Sequence, residues 1–182
     1  MNEKNEPQTS ASGKPIPTGP QNMKLYRDFI KYWIPVIILL GIIFCLSGGI
    51  FTSGYTASFF VPTIHSLFPR LSLQNVSLIH ELIRALAHIA EYFFMGILLS
   101  RAFYRNSWQI WNLKWSVLII ILLALLALSD EFYQSFFPLR KSSLADVGLD
   151  LIGVFLSQIA IILRWKIIAY NSKQATGTNW YE

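Results

Sequence analysis

Charge is scarce in this sequence of 182 residues: Asp, Glu, Lys and Arg make up 14% of it, against about a quarter of a typical soluble domain. Hydrophobic residues make up 53%, and the mean hydropathy is +0.43. This balance excludes a disordered protein and argues against an ordinary cytosolic domain. Cysteine is nearly missing as well. Cys45 has no second cysteine to pair with, which excludes a disulfide-stapled secreted domain, and its apolar surroundings predict a small buried side chain.

Long hydrophobic runs are what the sequence does contain. A helix that crosses the hydrocarbon core of a bilayer needs about 20 mostly apolar residues. The sequence predicts an all-α polytopic membrane bundle with four transmembrane helices, at about residues 33–51, 82–102, 114–131 and 147–165. Together they form one membrane domain, residues 32–166.

The segments outside these runs are more polar. Residues 52–78 contain two prolines and predict a loop with a short interfacial helix through Phe59 and Phe60. Residues 1–31 are rich in Pro, Ser, Gly, Asn and Gln without periodicity, which predicts a disordered tail. Residues 167–182 predict a second tail.

Lys and Arg are unevenly distributed among the connecting segments. With the N-terminus placed in the cytoplasm, eleven of the fifteen basic residues fall in cytoplasmic segments and four fall outside. The positive-inside rule therefore predicts that both termini and both tails are cytoplasmic and that the 52–78 loop is external. The net charge of +5 then reflects topology, because a nucleic-acid-binding surface needs a soluble basic face, which this chain does not offer.

Ionisable residues nevertheless occur within the predicted membrane helices, where charge is costly and usually marks a site or an ion pair. Arg84, His88 and Glu91 recur at the helical spacing i, i+4 and i+7, with Tyr92 beside them. Further polar residues lie at the same external level of the other helices. These are Asp130, Glu131 and Gln134 near the end of the third helix, Arg140 in the loop, and Asp146 and Asp150 in the fourth helix. This convergence predicts a ligand-binding site on the outer face.

A purely structural interpretation stays open. Arg84 could pair with Glu91, and Arg140 with an aspartate of the fourth helix, which would fix the helix register without any ligand. His65 and His80 fall in the loop and before the second span, and we expect them to be surface histidines.

Two segments resemble the signature segments of the VanZ-like family, small bacterial membrane proteins named after an accessory protein of glycopeptide-antibiotic resistance. They are RALAHIAEYFFMGILL at 84–99 and SDEFYQSFFPLRKSSLADVGLDLIGVFL at 129–156. The positions that match the family pattern are Arg84, His88, Glu91, Tyr92, Asp130, Glu131, Gln134, Pro138, Arg140, Asp146, Asp150 and Gly153. Two positions depart from it, since Ala85 replaces the usual Lys and Leu139 the usual Gly before the loop arginine.

The resemblance implies a multi-pass protein of the bacterial cytoplasmic membrane that acts at the outer face, where lipid-linked wall precursors and lipoglycopeptide antibiotics meet. We therefore expect an envelope-homeostasis or teicoplanin-type resistance factor whose polar cluster binds such a ligand, with membrane lipids as further partners. Arginine would contact anionic head groups through paired hydrogen bonds. Gly153 predicts a close approach by a neighbouring helix.

Two other functions remain as alternatives. An intramembrane enzyme acting on a polyprenyl or phospholipid head group could hold a divalent cation with the clustered carboxylates and His88. Alternatively, it could use His88 and Glu131 as base and acid. Against it, the sequence has no nucleophile motif, no Gly-rich phosphate loop and no HExxH zinc spacing, so we expect no metal and no cofactor. A small transporter or channel is the third alternative, but no internal repeat supports it.

Overall fold

A computed structural model describes residues 20–48, 53–104, 111–137 and 143–176. Within these ranges the secondary structure consists of five helices, and there is no strand. The helices are α1 (Pro20–Ser47), α2 (Ser53–Leu67), α3 (Leu73–Phe103), α4 (Leu113–Gln134) and α5 (Leu144–Thr176). The all-α fold class predicted from the sequence is confirmed.

Four of the five helices are long and apolar enough to cross a membrane, in agreement with the predicted number of spans. These stretches are Tyr26–Ser47, Leu73–Phe103, Leu113–Gln134 and Leu144–Ser172. The helices are mostly longer than the apolar runs, because a helix satisfies its own backbone hydrogen bonds and need not end where the hydrocarbon ends. The 31 residues of α3 rise about 46 Å at about 1.5 Å per residue, against a hydrocarbon core of about 30 Å.

Both predicted tails contain helix. α1 begins at Pro20, so residues 20–31 are helical, which corrects the expectation of disorder there. Proline suits the first position of a helix, and no glycine or proline follows it until Pro35. At the other end α5 continues to Thr176, one residue before a glycine. Residues 1–19 and 177–182 of the predicted tails lie outside the described residues.

The predicted external loop contains a full helix. The 15-residue α2 includes Phe59 and Phe60, where the sequence predicted a short interfacial helix. A tight turn then leads into α3, which begins at Leu73 rather than near residue 82. The Ser72 hydroxyl caps this helix by accepting a hydrogen bond from the Asn75 N–H at 3.3 Å. The first turns of α3 therefore extend past the apolar run, and α2 packs against α3.

Close packing of α3 against α5 organises the bundle, and this pair has the most extensive contact among the described helices. A Cβ atom on Gly153 would overlap the carbonyl oxygen of Ile89, so the close helix approach predicted at this glycine is confirmed. Cys45, by contrast, is exposed, which corrects the expectation that it is buried. Lipid tails are as apolar as a protein core, so a hydrophobic neighbourhood does not predict burial on a membrane helix.

Candidate functional site

The polar residues singled out in the sequence gather at one end of the bundle, where α3 begins, α4 ends and α5 begins. We call this the polar end. Seven of these side chains are buried there, and none is more than 7% exposed: His88, Tyr92, Asp130, Glu131, Gln134, Asp146 and Asp150. Polar groups buried to this extent are costly unless they have hydrogen-bond partners.

Two contacts connect α3 to α5 at the polar end. Arg84 donates through Nη2 to Oδ1 of Asp146 at 3.4 Å, and Nδ1 of His88 lies 3.0 Å from Oδ1 of Asp150. The two helices run in the same direction, so residues four apart on one meet residues four apart on the other. An ionised Asp150 can only accept a hydrogen bond, so with this carboxylate ionised the contact requires a proton on Nδ1 of His88.

Helix α4 adds two further contacts. Gln134 donates through Nε2 to Oδ2 of Asp130 at 2.8 Å, one turn away on the same helix. Glu131 accepts a hydrogen bond at Oε2 from the backbone N–H of Ser143 at 2.7 Å. Ser143 immediately precedes α5, so the Glu131 carboxylate lies at the N-terminus of that helix, where the helix dipole favours negative charge.

A cavity of about 480 Å³ opens beside this network, between the end of α1, α2 and the first half of α3. The residues that line it are Leu46, Ser47, Thr56, Phe59, Phe60, His80, Ile83, Arg84, Ala87, His88 and Glu91. Its walls are mostly apolar, and the larger polar side chains all come from α3. An apolar pocket with a few convergent polar groups is the usual form of a small-molecule site.

The predicted site residues thus divide into two groups. Arg84, His88 and Glu91 line the cavity. Six others lie among the helices without lining it: Tyr92, Asp130, Glu131, Gln134, Asp146 and Asp150. Arg140 lies outside the described residues. The predicted convergence of three helices is present, while whether these residues bind a ligand stays a prediction.

His80 is a cavity residue that the sequence interpretation missed, because we expected it at the surface. It is half-buried, and its Nε2 lies 3.2 Å from Oγ1 of Thr56. Its ring packs at a tilt of 48° against that of Phe60, with the ring centres 5.2 Å apart. The available signal was its spacing, since residue 80 precedes Arg84 and His88 by four and eight positions and shares their face of α3.

Several buried oxygens at the polar end lack a hydrogen-bond partner. Within the described residues these include Tyr92 Oη, Asp130 Oδ1, Glu131 Oε1, Gln134 Oε1, Asp146 Oδ2 and Asp150 Oδ2. Each unmatched buried oxygen costs about 1–3 kcal/mol, so the network retains acceptor capacity that helix packing does not use. In the same part of the chain, no three His, Cys, Asp or Glu side chains are arranged to hold a metal ion.

Comparison with known proteins agrees with the resemblance seen in the sequence. No curated protein and no solved structure matched the chain. A family model described as VanZ/LLP1 matches residues 32–166, which is most of the chain and covers most or all of each of the four helices that could cross a membrane. The chain therefore belongs to the VanZ/LLP1 family of membrane proteins.

Proposed function

We propose that this protein is an envelope factor of the bacterial cytoplasmic membrane that lowers susceptibility to lipoglycopeptide antibiotics of the teicoplanin type. Its site would be the cavity at the polar end, facing the extracytoplasmic side. The observation that carries the proposal is the composition of this cavity, in which apolar walls meet Arg84, His88 and Glu91 on one side. A lipoglycopeptide and a lipid-linked wall precursor both join an apolar chain to a polar head, so either would suit such a cavity.

The positions of the carboxylates refine this proposal. Asp146 and Asp150 are 3% and 0% exposed, and they contact Arg84 and His88 on the side away from the cavity. They support these two donors rather than facing the cavity themselves. The ligand group expected beside Arg84 is therefore an anion, to which arginine can donate paired hydrogen bonds, and not an amine.

Antibiotic susceptibility of cells that express the protein tests this proposal. Arg84→Gln removes the cationic donor of the cavity, and Arg101→Gln is a matched control on the same helix. Arg101 lies in the last turn of α3, 5.5 Å from the ring of Tyr32 and far from the cavity. We expect the wild type and Arg101→Gln to raise the inhibitory concentration of teicoplanin, and Arg84→Gln to return it to that of the empty vector.

Equal amounts of each variant in the membrane must be verified. Vancomycin, which lacks the lipid chain, serves as the comparison drug, and its inhibitory concentration should change less. Full protection by Arg84→Gln, or equal effects on the two drugs, would contradict the proposal.

An enzyme acting on a phosphorylated lipid is the second candidate, and the His88–Asp150 contact is the observation that favours it. A buried carboxylate that holds one imidazole nitrogen leaves the other to act as a general base. His88 would accept a proton from water while the water oxygen attacks phosphorus. The bond from phosphorus to the lipid oxygen breaks, and the protonated His88 returns the proton to that oxygen, so the products are the lipid alcohol and phosphate. Phosphate release from a prenyl phosphate by the purified protein, abolished in His88→Gln, would support this candidate, and no release above buffer would dismiss it.

A further inference from the structure

We propose that the cavity binds a single apolar chain that carries one anionic oxygen head group, and that His80 and helix α2 form part of this binding site. The inference rests on the proposed function in one respect, namely that the ligand occupies this cavity. It adds the ligand class, which excludes ordinary two-chain phospholipids, and it adds residues that neither the family pattern nor the sequence motifs include.

The cavity volume argues for one chain. A cavity of about 480 Å³ lies in the lower half of the range of small-molecule sites, about 300–1,000 Å³. One acyl chain with a small head group suits a cavity of this size, whereas a two-chain lipid would insert only part of itself.

The polar wall argues for an anionic head group. His80, Arg84 and His88 follow one face of α3 at steps of four residues, about 6 Å apart along the axis. Arg84 uses one donor on Asp146 and is 35% exposed at its side chain, so most of its five N–H groups remain for a ligand. Among the described residues His88 makes a hydrogen bond to Asp150 alone, through Nδ1, which leaves its Nε2 for the cavity.

Arg84 sets the position of the head group along α3. It lies between His80 and His88 on the face of α3 that lines the cavity. An anion is attracted to its guanidinium, so we place the head group beside these three side chains.

Helix α2 provides the apolar wall for the chain. Phe59 lines the cavity although it is 76% exposed, so its ring presents uncovered apolar surface. Phe60 and Thr56 both contact His80 from one face of α2. These two contacts hold the imidazole of His80 next to the apolar wall that binds the chain. Helices α2 and α3 together therefore contact both the head group and the chain.

Native mass spectrometry of the full chain, released from a neutral detergent, tests the proposal. The probes are dodecyl phosphate, dodecanoate, dodecanol and dipalmitoyl phosphatidic acid. Charge-assisted hydrogen bonds predict that dodecyl phosphate, dodecanoate or both bind at least tenfold more tightly than dodecanol, with one molecule per protein. The tighter of the two anions identifies the head group as phosphate or carboxylate. Dipalmitoyl phosphatidic acid should bind more weakly than dodecyl phosphate.

Variants locate the bound molecule. Arg84→Lys should lower the affinity for dodecyl phosphate about tenfold. His80→Ala and Phe60→Ala should each lower it about three- to tenfold. Phe68→Ala is the matched control, because Phe68 is exposed in the turn after α2 and does not line the cavity. Retained helicity and unchanged elution of each variant verify folding, and His80→Asn replaces His80→Ala if the latter fails this check.

Three results would overturn the proposal: equal affinity for dodecanol and both anions, tighter binding of the two-chain lipid, or binding by His80→Ala and Phe60→Ala that equals that of Phe68→Ala. These results are separable from the proposed function. If teicoplanin protection persists without amphiphile binding, the ligand class is wrong while the cellular role stands. If binding is present but protection is absent, the cellular role is wrong while the ligand class stands.

Discussion

His88 and Asp150 form the most deeply buried contact between charged or chargeable side chains at the polar end, with the carboxylate 0% exposed and the two side chains 3.0 Å apart. Removing one partner of such a pair leaves the other buried and unmatched, which costs about 3–5 kcal/mol. We therefore expect Asp150→Ala and His88→Ala each to lower the free energy of unfolding by roughly that amount, and the double variant to lose less than the sum. Unfolding of the detergent-solubilised protein in SDS measures all three.

The Arg84–Asp146 pair is the internal comparison for this double-mutant cycle. Its distance is 3.4 Å and the arginine side chain is 35% exposed, so water screens the interaction and the coupling should be about 1 kcal/mol or less. Coupling at Arg84–Asp146 equal to or larger than that at His88–Asp150 would show that burial does not determine the strength of these contacts.

The sequence predicts which residues form the site better than it predicts their partners. Spacing places Arg84, His88 and Glu91 on one helical stripe, and the structure keeps them on one cavity wall. The ion pair considered from spacing was Arg84 with Glu91, whereas the structure pairs Arg84 with Asp146 on another helix. Periodicity within one helix fixes which residues share a face, but the rotation and register of the neighbouring helix come from packing, which spacing does not contain.

Helix α5 can approach α3 closely because Gly153 has no side chain at the contact. A Cβ there would overlap the Ile89 carbonyl oxygen and lie 3.0 Å from the Phe93 nitrogen, both backbone atoms that cannot rotate away. Gly153→Ala should therefore destabilise the protein by about 1–3 kcal/mol, and it should weaken binding at the polar end because Asp150 shifts with the helix. Unfolding in SDS measures the first effect, and amphiphile binding the second.

Gly148→Ala is the matched control on the same helix. No atom lies within 4 Å of a Cβ at this position, so alanine should stabilise the helix by about 0.5–1 kcal/mol. If both substitutions shift stability in the same direction, close packing at Gly153 is not what holds α3 and α5 together.

At the scale of elements, the four long helices are predictable because each contains a continuous apolar run. Helix α2 was predicted only as a short interfacial segment, since its 15 residues include Pro62 and are interrupted by Gly, Thr and Ser. The sequence predicts too late a start for α3 for a related reason. Residues 73–81 are too polar to indicate a membrane span, yet they continue the helix that Ser72 caps. The cavity depends on these two segments, so it could not be predicted from hydropathy.

At the scale of the whole molecule, the polar end and the opposite end differ in chemistry. The opposite end carries cations close to an aromatic ring. Nζ of Lys31 lies 5.1 Å, and Cζ of Arg101 5.5 Å, from the centre of the Tyr32 ring. The distribution of Lys and Arg predicts that this end faces the cytoplasm. The polar end would then face outward, as the proposed function requires.

Cysteine labelling tests this orientation. Cys45 is the sole cysteine, so Cys45→Ser gives a background without thiols. Ser66→Cys in α2 and Ser172→Cys near the end of α5 then add one exposed thiol at each end. In intact spheroplasts a membrane-impermeant maleimide should label the variant at 66 and label the variant at 172 only after permeabilisation. The reverse pattern would place the polar end in the cytoplasm and remove the basis of the proposed function.

Occupancy of the cavity between α1, α2 and α3 by a ligand is what separates a binding site at the polar end from a purely structural cluster of polar residues. Its most direct test is photo-crosslinking with an alkyl phosphate that carries a diazirine at the end of its chain, followed by peptide mapping. We expect adducts on α2 and the facing part of α3, at Phe59, Phe60 or Ile83, and we expect excess dodecyl phosphate to suppress them. Adducts spread over the outward apolar surface of α4, such as Ile121 and Leu125, and unaffected by excess dodecyl phosphate, would contradict this expectation.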